Sequence, residues 1–148
     1  IRVHSREAAR QVKELGRPND LLDRLKADPA FAQAAYNLCC ITSRDRMDEA
    51  LKWCRKAANL RPEEPRYGYT YAFFLDRKGE TAKAIPVLRK IVDANRPFPP
   101  AYAMLGTIYE KQGKTDEAKK VYRKGADNPE IPAADRAQFR NRLQSMGK

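Results

Sequence analysis

The sequence predicts an all-α protein, a solenoid of antiparallel helix pairs, and three observations carry that prediction. Ala50, Ala84 and Ala118 stand 34 residues apart, and the positions around them repeat by size class: Cys54, Leu88 and Tyr122, then Ala57, Ile91 and Gly125. A unit of this length holds two helices that cannot bury their own apolar faces, so copies must stack into an array with a concave surface. Gly79 and Gly113 follow helically spaced apolar residues, at the point where a helix accepts a left-handed terminal residue. Carboxylates then gather in Asp48-Glu49, Glu80 and Asp116-Glu117, where the positive end of a following helix favours them.

Each unit can be read in turn. The clearest runs Tyr102-Ala103-Met104-Leu105-Gly106-Thr107-Ile108-Tyr109, followed by Ala118 and Tyr122. It resembles the tetratricopeptide repeat: an aromatic, Leu-Gly, Tyr, then Ala and an aromatic. In the unit before it, Tyr71-Ala72, Leu75, Ala84 and Leu88 fill these places, with Gly68 where the leading aromatic is usual and Tyr67 serving instead. The first clear unit has Tyr36-Asn37-Leu38-Cys39, then Asp48-Glu49-Ala50, Cys54, Ala57 and Pro62. It fits if the turn between its helices is one residue short, and it lacks the turn glycine. The small residues Cys39, Ala72 and Gly106 are expected to face Ala50, Ala84 and Ala118 across each helix pair, letting the backbones approach.

The resemblance implies a right-handed superhelical solenoid in a single domain, 1–148. About three repeats, 31–64, 65–98 and 99–132, follow a degenerate N-terminal helical pair over 1–30 and precede a capping helix over 133–148. In the first segment Ala8, Ala9, Val12 and Leu15 have helical spacing, Gly16 closes them, and Leu21, Leu22 and Leu25 come before Asp28-Pro29. In the last, Phe139, Leu143 and Met146 form one stripe, with Arg136, Arg140 and Arg142 away from it, as a cap requires. Ser145 to Lys148 reads as the end of the protein, whereas the start at Ile1, without methionine, reads as a processed product or an excised piece. Pro86 falls inside a second helix and predicts a mild bend, and Pro97, Pro99 and Pro100 around Phe98 predict a stiff connection with Phe98 packed beneath it.

Composition narrows the function classes. Thirty Lys and Arg against nineteen Asp and Glu give a formal charge of +11, which attracts nucleic acid, anionic membrane or acidic protein. These cations are spread over outer helix faces, and no base-reading repeat code or zinc-finger spacing accompanies them, so nucleic acid is the lesser reading. No apolar run approaches a membrane span. The three cysteines contain no CxxC pair and the one histidine is His4, so no metal site is expected. Cys39 and Cys54 read as small buried thiols, with a disulfide between them as the alternative, and Cys40 lies nearer the concave face. With no phosphate loop, nucleophile elbow or persuasive general base, neither an enzyme nor a cofactor is expected. Unpaired cysteines lean towards a reducing, cytoplasmic setting, although a leader could have been removed.

Binding is what remains. In proteins similar to this one, the first helix of each repeat lines the inner surface, with ligand-facing residues between the structural positions. The resemblance places Tyr36 and Cys40 there from the first unit, and Arg66, Tyr69, Phe73, Asp76 and Arg77 from the second. From the third come Ala103, Thr107, Glu110 and Lys111. Tyr36, Tyr69 and Phe73 would form an aromatic strip, while Arg66, Arg77 and Lys111 could meet acidic groups. The Lys and Asn carboxylate clamp of chaperone-tail binders is absent, since Tyr36 and Cys40 hold its opening places. The implied function is a scaffold or adaptor that binds a peptide or helix of another protein. The alternatives are a structural or self-associating region of a larger protein and, less favoured, a basic nucleic-acid-binding helical repeat.

Overall fold

Pro29, Pro65 and Pro99 each begin a helix, because the first helical position needs no backbone N–H and favours the fixed φ of proline. The structure, a computed structural model, describes Asp23 and residues 26–147. Seven helices and no strand lie among them: α1 (Pro29–Thr42), α2 (Met47–Leu60), α3 (Pro65–Arg77), α4 (Thr81–Asp93), α5 (Pro99–Lys111), α6 (Thr115–Asp127) and α7 (Ala133–Met146). They pack as consecutive pairs, α1 with α2, α3 with α4 and α5 with α6, while α7 lies on α6. This is the expected all-α repeat array. The degenerate pair expected over 1–30 lies, but for a few residues, outside the described chain, as does His4.

The turns show why the pairs fold sharply. Gly79 and Gly113 take φ of +90° and +73°. Around them Glu80 donates its N–H to the Leu75 carbonyl at 2.8 Å and Lys114 donates to Tyr109 at 2.8 Å, the hydrogen bonds of a left-handed helix end. The α1 end does without glycine. There the Thr42 hydroxyl donates to the Leu38 carbonyl and the Ser43 hydroxyl to the Cys40 carbonyl, both at 2.7 Å, so side chains satisfy the terminal acceptors. The residue missing from this unit is lost from the helix and not from the turn. Helix α1 ends three residues after Cys39, α3 five after Ala72, and the connection from α1 to α2 is one residue longer than that from α3 to α4.

The predicted seam is buried throughout. Ala50, Ala84 and Ala118 are 0% exposed, as are Cys39 and Ala72 opposite. At Gly106 a Cβ would collide with the Tyr122 ring, so only glycine admits that tyrosine. One continuous core runs from Ala72 and Leu75 through Leu88, Ile91, Tyr102 and Leu105 to Tyr122 and Phe139, with Leu143 and Met146 packed on its edge. The outward face of α7 carries exposed Gln138, Arg140, Asn141 and Gln144, which suits a helix that covers the array's end. The α1–α2 pair packs in two smaller clusters instead, each completed by a ring from α3: Ala32, Ala35 and Ala57 with Tyr67, then Cys39 and Cys54 with Phe74. Pro86 sits inside α4 past the first turn, so the Ala82 carbonyl loses its helical donor, and both residues are exposed to water.

Candidate functional site

The first helices lie side by side. Helix α3 touches α5 directly, and α1 is tied to α3 by the Tyr67 hydroxyl donating to Gln33 at 3.0 Å and by the Thr70 hydroxyl against Tyr36. Residues one turn apart on α3 therefore share a surface with those on α5. Phe73 is 42% exposed, one of three large apolar side chains left open to water among the described residues, with Leu38 and Ile41. Its ring centroid is 6.3 Å from that of Tyr69, and Tyr69 meets Phe98 edge-on at 5.5 Å. Phe98 is thus half-buried beneath the proline-rich connection as expected, and it also anchors Tyr69 from behind.

A cleft of about 310 Å³ opens beside these rings. It brings Tyr69 and Asp76 of α3 against Ala103, Thr107 and Lys111 of α5, five of the residues expected in the groove. Met104 and Ile108 give it an apolar floor, and Pro100 forms one end. These last three were not anticipated; their own spacing of four residues, one helical turn, was the available signal. Asp76 is oriented by the Thr81 hydroxyl, which donates to it at 2.6 Å. Arg66 and Arg77 are exposed at opposite ends of α3 and Lys111 at the end of α5. None of the three pairs with a carboxylate among the described residues.

Two expected groove residues, Glu110 and Tyr36, engage other partners. Glu110 accepts from the Tyr122 hydroxyl at 2.7 Å and from the Arg142 guanidinium at 2.7 Å, so its carboxylate is engaged by α6 and α7. Tyr36 does not extend the Tyr69–Phe73 pair, because its ring packs on Tyr67 at 4.9 Å. Burial raises the Tyr36 phenol pKa, opposed by the Thr70 hydrogen bond and assisted by Cys40. Cys40 is half-buried beside Tyr36 at the place that Phe73 and Thr107 occupy on the later helices. The aromatic strip is therefore two separate groups, Tyr36 with Tyr67 and Tyr69 with Phe73.

Among the described residues no cluster of His, Cys, Asp and Glu could hold a metal ion, and no helix is long and apolar enough to cross a membrane. No curated protein matches the chain. Residues 99–127, which span α5 and α6, match the family model of the tetratricopeptide repeat. Helices α5 and α6 are a tetratricopeptide repeat, and the described helices around them form an array of consecutively packed pairs.

Proposed function

We propose that this chain is an adaptor that binds a peptide segment or a helix of another protein across α3 and α5. Tetratricopeptide repeats generally mediate protein–protein interaction, and the matched repeat supplies one wall of the cleft. The observation that carries the finer reading is Phe73, exposed at 42% and held against Tyr69, which itself lines the cleft between α3 and α5. Aromatic anchors beside such clefts are where binding energy concentrates. Arg66, Arg77 and Lys111 favour a partner with acidic groups near an apolar side chain, the cations steering and the rings holding it.

The test is a displayed random-peptide selection followed by binding to Tyr69→Ala, Phe73→Ala and the double variant. Selected peptides should combine apolar or aromatic residues with Asp or Glu. The double variant should lose at least about tenfold in affinity, the effect of one hot-spot ring, with helicity by circular dichroism unchanged. Equal affinity would remove the groove from consideration. Binding that ignores the rings and weakens steeply with salt would favour the nucleic-acid reading, and a mass that rises with concentration in light scattering would favour self-association.

A further inference from the structure

The α1–α2 pair is short of side-chain volume. The residues it buries are Ala32, Ala35, Cys39 and Thr42 on one helix and Ala50, Cys54 and Ala57 on the other. Alanines remove little apolar area from water, so this pair receives less hydrophobic stabilisation than pairs filled by Leu88, Ile91, Leu105 or Tyr122. At its centre Cys39 and Cys54 face each other, 0% and 1% exposed, with Cα atoms 5.1 Å apart and sulfurs in contact. That Cα separation falls inside the span of roughly 4.4–6.8 Å that a disulfide bridges. Phe74 packs on the two from α3, with Met47, Leu51, Trp53 and Tyr71, all partly exposed, at the margin.

We propose that Cys39 and Cys54 form a disulfide clasp that holds α1 against α2 in place of core volume, so that the order of this pair depends on redox state. The matching places in the next two pairs hold Ala72 with Leu88 and Gly106 with Tyr122, each a small residue against a large one. Two cysteines fill that space poorly as separate thiols. Joined, they also remove freedom from the unfolded segment between them. Formation needs a disulfide oxidant of the glutathione class. One cysteine thiolate attacks it and releases a first glutathione thiol, and the second cysteine displaces the other; two protons leave and two electrons pass to the oxidant. Both sulfurs are buried, so exchange requires α1 and α2 to part, and the clasp closes as the pair folds. Cys40, half-buried on the neighbouring face, stays a free thiol.

The protein is equilibrated in an oxidised and reduced glutathione buffer, then unfolded in iodoacetamide. Intact mass should show one label, mapped to Cys40, and three labels after reduction. Three labels without reduction, or a link that includes Cys40, would overturn the proposal. Hydrogen exchange on the folded chain reads the role: reduction should speed α1 and α2 amides at least about tenfold while leaving α5 and α6 unchanged, and equal protection in both states refutes a clasp. The paired change Cys39→Ala with Cys54→Leu, which copies Ala72 and Leu88, should restore slow exchange that no longer responds to reductant. A continued response from that variant would place the redox effect elsewhere and reject the assignment.

Discussion

Between α5 and α6 the helices approach over Gly106 and Tyr122, a missing side chain filled by a large ring. Between α1 and α2 the matching places are Cys39 and Cys54, covered by Phe74 from α3, while the rest of the buried seam is largely alanine. Both solutions bury the seam completely, yet they stabilise it by different means. The α5–α6 pair relies on aromatic volume shared with Phe139 and Tyr102, and it is tied further by Glu110 to Tyr122 and Arg142. The α1–α2 pair relies on close backbone approach. In an array where each unit contacts only its neighbours, such a difference is felt locally and not averaged over the chain. A common backbone period therefore conceals unequal stability.

The largest effect should come from emptying the α5–α6 seam. Tyr122→Ala, at a site 4% exposed, is expected to cost about 4 kcal/mol, measured by urea unfolding. A loss below about 1 kcal/mol would show that Phe139 collapses into the space. Next, in oxidised protein, Cys54→Ala should cost about 3 kcal/mol for a loop of this size, with the loss confined to α1 and α2 amides in hydrogen exchange. Gly106→Ala should cost about 2 kcal/mol, because the added methyl meets the Tyr122 ring, whereas Ala72→Gly in the next pair should cost nearer 1 kcal/mol. The two glycine-scale changes can be compared directly by thermal unfolding.

The smallest effect concerns alkali. Burial raises the phenol pKa of Tyr102 and of Tyr122 above the ordinary 10.0, and Glu110 adds to the rise at Tyr122. The folded state then holds these protons more tightly than the unfolded one. Their contribution is complete below pH about 10 and is lost as pH rises through the higher folded values. Unfolding free energy should be level to about pH 9 and fall above 10, with Tyr122→Phe flattening part of that fall. A decline that leaves Tyr122→Phe and wild type parallel would assign it to other groups.

Much of this was legible in the sequence because stacking imposes a period. The seam alanines, the glycines at 79 and 113 and the packing of Phe98 follow from residues that recur or from local backbone demands. The fate of Glu110 was not legible, because its partner Arg142 lies 32 residues away on α7, outside the three units whose period sets the register. The pairing of Tyr36 was not legible either, because it depends on which ring of α3 lies across from α1: Tyr67, buried as the substitute packing aromatic, is the one that Tyr36 meets. The cleft floor at Met104 and Ile108 shows the same limit, since a side chain can pack on its own helix pair and still face the space between two pairs.

The separation of the core into a long body and two small clusters also matters for turnover. A degradative protease needs a stretch of chain that opens often, and the connection between Leu60 and Pro65 divides the alanine-lined pair from the helices that share one core. Arg61 stands at that junction, with its guanidinium donating to the Ala27 carbonyl. Brief treatment with a glutamate-specific protease, which can cut after Glu63 where trypsin is blocked at Arg61-Pro62, should therefore trim the chain from its amino-terminal side and leave a resistant product beginning at Glu64, with both walls of the cleft still in place.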